Sequence, residues 1–292
     1  MSLDIGVLTP HRYAHGESPR WDLAAGRLLW VDMAAGNLHC AVLTQSGLVN
    51  HETFPVARRI GCPAPVEGAP DRWIVAAAGG FREVTASGTV EVIGNDPAPA
   101  WAWMNDGGCD PTGRFWAGTQ CAPRSPACCL YSLEVTGAII TRLTGVTVSN
   151  GLCFSEDGRT MYYIDTLPHR SIEAFDVSSN GELSGRRVVS QVDGGNPDGL
   201  AIDVEGNLWV AVWDAAQIRR YTPTGRLLTT IDLPASRPTA VTFAGSLLII
   251  TTASAGLVDP GPLDGALLCV DVDVAGPPAA PYRRLSDSDC VE

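Results

Sequence analysis

Positive charge is scarce in this 292-residue chain, where 20 Lys and Arg stand against 32 Asp and Glu for a formal net charge of −12. That balance argues against nucleic acid, whose phosphates need basic side chains to neutralise them. It suits an anionic membrane surface no better, whereas a bound cation is compatible with it. Long apolar runs are also missing. "GSLLIITTASAGLV" is too short for the ~20 apolar residues that span a bilayer, and it reads as strand. The opening "MSLDIGVLTPHRYAHGESP" has no basic stretch followed by an apolar one, so no signal peptide is expected. The nine cysteines are irregularly spaced, contain no CxxC pair, and include the adjacent Cys128 and Cys129. A thiolate zinc site and a secreted disulfide framework are both poor fits to that pattern. A reduced, cytoplasmic chain is the expectation.

Glycine and proline, by contrast, are plentiful at 31 and 21 and are spread along the whole chain, which implies many turns rather than a disordered tail. Helical periodicity is nearly absent. Instead one unit recurs, a turn followed by a β-rich, aromatic-bearing run: "GRLLWVDM" with Trp30, "DRWIVAAAGG" with Trp73, "GRFWAGTQ" with Trp116, "GRTMYYID" with Tyr162 and "GNLWVAVW" with Trp209. "GSLLIITTA" is a sixth match, with Ile249 in the slot. The spacings are 43, 43, 46, 47 and 40 residues. Asp-Gly or Glu-Gly before a β-rich run is a hairpin signal, and a period of 40–50 residues built of short strands marks a β-propeller. Six copies use nearly all of the chain, so the expected fold is all-β, one six-bladed β-propeller over residues 1–292 with about four strands per blade. The Pro-rich "DVAGPPAAPYRRL" is assigned to the closing strands and tail.

Four units carry oxygen-bearing side chains just ahead of the hairpin: Glu17 in "AHGESPRWD", Asn105 and Asp106 in "WMNDGGCDP", Asn150 in "TVSNGLCFSED", and Asp198 in "NPDGLAIDVEG". Glu17, Asn105, Asn150 and Asp198 lie 13, 11, 12 and 11 residues before the aromatic of their unit. Taken singly, each is an ordinary turn residue. In register on successive blades they converge on the propeller axis, where they could share one ion. Carboxylate and amide oxygens are hard ligands, suited to Ca²⁺, Mg²⁺ or Mn²⁺ rather than to thiolate-bound zinc.

"GESPRW", "NDGGCDPTGRFWAGT", "SNGLCFSEDGRTMYYIDT" and "NPDGLAIDVEGNLWVA" resemble the senescence marker protein-30/gluconolactonase/luciferin-regenerating enzyme family along essentially the whole chain. The resemblance implies a divalent metal ion on the axis (Ca, Mg, Mn or Zn), with Glu17, Asn150 and Asp198 as ligands and Asn105 near metal and substrate. It also implies hydrolysis of a lactone, with the metal polarising the carbonyl and Asp198 as general base. The chain departs from the family in several places. Trp103 stands where sugar lactonases of the family commonly have Arg, and Gln120 replaces the Met of "GTM". The loop "CAPRSPACCLYSL" lacks an acidic residue that some relatives use on the substrate. Trp101, Trp103 and Trp213 could form an aromatic wall, and His15 could shuttle protons. Arg58, Arg59 and Arg124 are alternative sources of the missing cation. Trp103, Gln120, His15 and Asn105 are therefore the candidate substrate contacts. The expected partner is a small lactone-like molecule, with neither nucleic acid nor membrane. The alternatives are diverged metal-assisted chemistry on a non-sugar ring, an aromatic one included, or a non-catalytic metal- or ligand-binding propeller. An interaction scaffold would need no axial carboxylates.

Overall fold

The computed structural model describes residues 4–95 and 97–285. Cys290, one of the nine cysteines, lies outside them, and the eight that are described are free thiols. Regular structure among the described residues is all β, in twenty-four strands numbered β1 to β24 along the chain. They form six four-stranded antiparallel sheets. The innermost strands are β2 (Gly16–Asp22), β6 (Ile60–Val66), β10 (Ala102–Cys109), β14 (Ser149–Phe154), β18 (Asn196–Ile202) and β22 (Pro238–Ala244). Each packs on the next, and β22 packs on β2, so the sheets close into a six-bladed propeller. Among the described residues no helix is long and apolar enough to cross a membrane.

The ring is fastened from the N-terminal side. β1 (Ile5–Thr9) pairs with β24 (Leu267–Asp271) as the outermost strand of the sixth blade, which joins the chain's two halves by backbone hydrogen bonds and leaves no open sheet edge between them. This corrects the assignment of the Pro-rich end to closing strands. Beyond β24 the chain runs as an irregular strap across one face. Ala279 N–H bonds to Trp21 O, Tyr282 N–H to Pro65 O and Arg283 N–H to Gly113 O. Proline cannot donate to a ladder, so "GPPAAP" is a poor strand and a good strap. Its Pro277–Ala280 segment covers one end of the central channel, over Leu152, Leu200 and Val241.

The turn-plus-aromatic unit has a definite physical cause in two blades. Asp203 Oδ1 accepts the backbone N–H groups of Glu205 and Asn207, which fixes the turn. Its Oδ2 accepts the Trp209 indole N–H at 2.9 Å and Arg220 Nε at 2.8 Å. Asp110 does the same for Thr112, Arg114 and Trp116. One carboxylate thus shapes the turn and satisfies the buried indole six residues later. The six aromatic slots are not all equivalent, however. Trp116, Tyr162 and Trp209 pair with Gly108, Cys153 and Ala201, and Ile249 pairs with Thr242, all four facing the following blade. Trp30 and Trp73 face the preceding blade instead, because a large side chain can fill the space between blades from either side of the strand.

Two predictions follow from the packing. Asp203→Ala would strand the Trp209 N–H and part of Arg220 in the interior, at a cost of about 2–4 kcal/mol; urea denaturation should show it as a lowered midpoint with unchanged slope, and an unchanged midpoint would contradict the role given to Asp203. The second concerns pH. His39 is buried beside His51 and Thr53, and burial first, then His51, pushes its pKa down from 6.5 to about 4. The unfolded chain therefore takes up this proton before the folded one does. His39 contributes stability that is present above pH ~6.5 and lost as pH falls toward ~4. His39→Gln should make stability fall less steeply across that window than in the parent; parallel curves would show that His39 plays no part.

Candidate active site

Every innermost strand carries a register irregularity near its start, and the candidate residues sit in or beside these bulges. In β10, β14 and β18 two residues face one on the neighbouring strand: Asn105 and Asp106, Asn150 and Gly151, and Asp198 and Gly199. In β2 the pair is Ser18 and Pro19, with Glu17 just before it and Ser18 at the left-handed φ of 48°. A bulge re-aims side chains that regular pleating would send into the sheet packing. Here it turns them toward the channel. These polar segments thus lie in the opening residues of innermost strands, not in the turns that their composition suggests. The glycine that follows has a packing reason: a Cβ on Gly151 would meet Leu200 N at 2.3 Å, and one on Gly199 would meet the Ala240 Cβ at 2.3 Å. Only glycine lets adjacent innermost strands approach this closely at the site.

The result is a cavity of about 270 Å³ at the channel end away from the strap, lined by Glu17, Asn105, Asn150 and Asp198 with His15, Gln120, Arg124, Thr166, Asn196 and Trp213 among its walls. The amides are locked by a relay across three blades. Arg124 donates to Gln120 Oε1, and Gln120 Nε2 donates to Asn105 Oδ1. Asn105 Nδ2 donates to Asn150 Oδ1 at 2.8 Å and to Ser149 O at 2.6 Å. Asn150 Nδ2 donates to Thr166 Oγ1 at 2.7 Å, and that hydroxyl donates to Pro197 O at 2.8 Å. The carbonyl at the end has no proton to give, so each donor–acceptor direction along the chain is set.

The carboxylates are less well provided for. Asp106 is buried but answered by Arg20 at 3.2 Å, Ser18 Oγ at 2.7 Å and Gly107 N–H at 2.8 Å, and it does not line the cavity. Glu17 receives the Ser18 N–H, and Asp198 receives no hydrogen bond among the described residues. Burial, then Asp106, pushes the Glu17 pKa up to about 8. Burial, then Glu17 and Asp106, holds Asp198 well above the ordinary carboxylate range, with Arg124 opposing. Both acids are raised by burial and by neighbouring carboxylates, and among the described residues neither forms an ion pair. Asn196 Oδ1, at the same wall, is buried without a donor. No group of three His, Cys, Asp or Glu gathers among the described residues; the donor set is instead two carboxylates with amide oxygens, which fits a hard divalent cation.

His15, Gln120 and Asn105 line this cavity, as read from the sequence, and Trp103 does not. Trp103 lies under Arg59, with the guanidinium carbon 4.3 Å from the ring centroid, and lines an adjacent cleft together with Trp101. No wall of three tryptophans forms, because Trp213 alone reaches the axial cavity, stacked on His15 at 5.4 Å and covered by Arg237 at 4.9 Å. His15 also differs from expectation. Burial, with Arg59, Arg124 and Arg237 adding to it, pushes its pKa down to about 4. It is a neutral ring at neutral pH and a weak proton carrier. Of the three arginines proposed as replacement cations, Arg124 enters the axial cavity. Thr166, Asn196 and Arg237 escaped the sequence reading: Thr166 and Arg237 lie just outside strands, while Asn196 opens β18 in "NPDG" and Thr166 closes "YYIDT", so those two carried a signal.

A family model for the SMP-30/Gluconolactonase/LRE-like region matches residues 15–254. Regucalcin of Danio rerio is 36% identical over 274 residues, covering 88% of both chains. The 6-deoxy-6-sulfogluconolactonase of Pseudomonas putida is 33% identical over 274 residues, covering 89% of this chain and 92% of the relative. A solved luciferin-regenerating enzyme superposes with a TM-score of 0.88 at 26% identity, covering 97% of this chain and 100% of the other. The propeller closure, the bulged axial residues and these matches agree: the chain belongs to the SMP-30/gluconolactonase/luciferin-regenerating enzyme family.

Proposed function

We propose that the axial cavity hydrolyses a lactone, with a divalent cation held by Glu17, Asn150 and Asp198. The observation that carries this reading is the pair of buried carboxyl groups, Glu17 and Asp198, with no cation of the protein's own between them. The name of the 33%-identical relative from Pseudomonas putida, a sulfogluconolactonase, supports the same reaction class. When bound, the cation would supply Lewis-acid polarisation of the carbonyl and a more acidic water. An oxygen-only donor set favours Ca²⁺, Mg²⁺ or Mn²⁺ over Zn²⁺.

The protein's own groups then divide the work. Asp198 faces the cavity with no donor claiming its oxygens, so it is free to take a proton from the attacking water; a positive charge beside it lowers its own affinity for that proton and makes the later release easier. Asn105 and Gln120, held in the relay from Arg124, position polar groups of the substrate without moving to do so. Asn196 Oδ1 accepts a substrate hydroxyl, which removes an orphaned acceptor. Trp213 offers one flat face to the ring. Oxygens and amides outnumber apolar groups on these walls, which supports a hydroxylated ring over an aromatic one, and Trp103 lies outside the cavity.

Asp198→Asn keeps the shape and removes the base. On a panel of sugar lactones followed with a pH indicator, kcat should fall by ~10²–10⁴-fold, and chelator should abolish parent activity until a divalent cation is restored. Full activity in Asp198→Asn would remove Asp198 from the chemistry, and activity indifferent to chelator would remove the cation.

A further inference from the structure

Beside the axial cavity lies an open cleft of about 790 Å³ between the second and third blades. Its lining includes Arg58, Arg59, Arg82, Trp101 and Trp103. Arginines of this protein are commonly answered by acids, as Arg20, Arg114, Arg186 and Arg220 are. Among the described residues, Arg58, Arg59 and Arg82 meet no carboxylate, and neither does Arg124 at the mouth of the axial cavity. In a chain of net charge −12, acids to neutralise such a cluster are abundant, yet among the described residues none pairs with it. The cluster repels itself: burial, then Arg58 and Arg124, lowers the pKa of Arg59.

The geometry of Arg59 leaves it ready for an anion. Its guanidinium carbon lies over the Trp103 ring, 4.3 Å from the centroid, and its N–H groups can form paired hydrogen bonds to an anion. Carboxylate, phosphate and sulfonate oxygens match that pairing. The cleft and the axial cavity are neighbours. Trp103 is paired with Gln120 across β10 and β11 (Phe115–Cys121), and Gln120 lines the axial cavity. His15, also on that wall, feels the charges of both Arg59 and Arg124.

We infer that the cleft binds a negatively charged substituent of the substrate, carried on the same molecule as the lactone ring and held by Arg59 on Trp103 with Arg58 beside it. The inference rests on the lactonase reading for the ring but not for the anion. Long-range attraction between a chain this acidic and an anionic substrate is absent, so selectivity must come from cations within a Debye length of the bound group.

The test compares a neutral six-carbon aldonolactone with its 6-phosphate, its 6-sulfonate and the corresponding uronic lactone. The parent should prefer at least one anionic member by kcat/KM, and the preferred member identifies the anion. In Arg59→Ala the ratio of anionic to neutral kcat/KM should fall by about ten- to a hundredfold, with partial recovery in Arg59→Lys. A parent ratio near one, or a ratio unmoved in Arg59→Ala and Arg58→Ala, would overturn the inference while leaving the lactonase reading intact. A separate arm needs no turnover: calorimetric binding of 6-phosphogluconate against gluconate. Tighter, salt-sensitive binding of the phosphate that Arg59→Ala removes supports the cleft even if no lactone is hydrolysed. Equal binding of the two acids counts against it in either case.

Discussion

Among the described residues, Glu17 and Asp198 sit inside a ring of strands with no ion pair and no hydrogen bond beyond those of Ser18 to Glu17, and most of the local architecture serves to keep them there. Charges in such a position drive each other toward the protonated form, and a flexible site would let one swing out to water. The bulges prevent that. They place each carboxyl group on an innermost strand, where the glycines Gly151 and Gly199 admit the neighbouring strand too closely for the backbone to shift. Asp106, on the innermost strand of the third blade, has the opposite arrangement, a full set of donors headed by Arg20. The contrast between a satisfied and an unsatisfied carboxylate on innermost strands of the same ring separates a structural acid from a candidate ligand.

The amide relay from Arg124 to the Pro197 carbonyl adds the second constraint. Asn105 and Asn150 are groups whose two ends differ chemically, and a cation site needs the oxygen end available. With Gln120 feeding Asn105 and Thr166 receiving from Asn150, neither amide can reverse without breaking bonds on both sides. Preorganisation of this kind costs nothing at the moment of reaction. Its outer end, Arg124, lines the axial cavity, and its charge is felt by Arg59 in the neighbouring cleft.

Much of this was legible in the sequence, and the reasons differ from residue to residue. The six-fold period could be read because each blade must bury its own strand faces, and "DPTGRFW" and "DVEGNLW" encode a carboxylate, a turn and an indole that depend on one another. Glu17, Asn105, Asn150 and Asp198 could be lined up because the bulge recurs at one place on four innermost strands. The register of Trp30 and Trp73 could not, since packing between blades accepts a large side chain at several sites. Nor could the N-terminal origin of the closing strand, because β1 is five residues with no mark distinguishing it from any other short strand. The place of Trp103 turned on a cation–π contact with Arg59, one blade's worth of chain away in sequence, and the depressed basicity of His15 on burial together with three arginines from distant segments.

The account stands or falls on whether the axial acids hold a cation. Calorimetric titration of Ca²⁺ into chelator-stripped protein addresses this directly, without reference to any substrate. One site per chain in the parent, absent in Glu17→Gln with the fold intact by circular dichroism, is the predicted result. No binding of Ca²⁺, Mg²⁺ or Mn²⁺ by the parent, or binding that survives unchanged in Glu17→Gln, would contradict it.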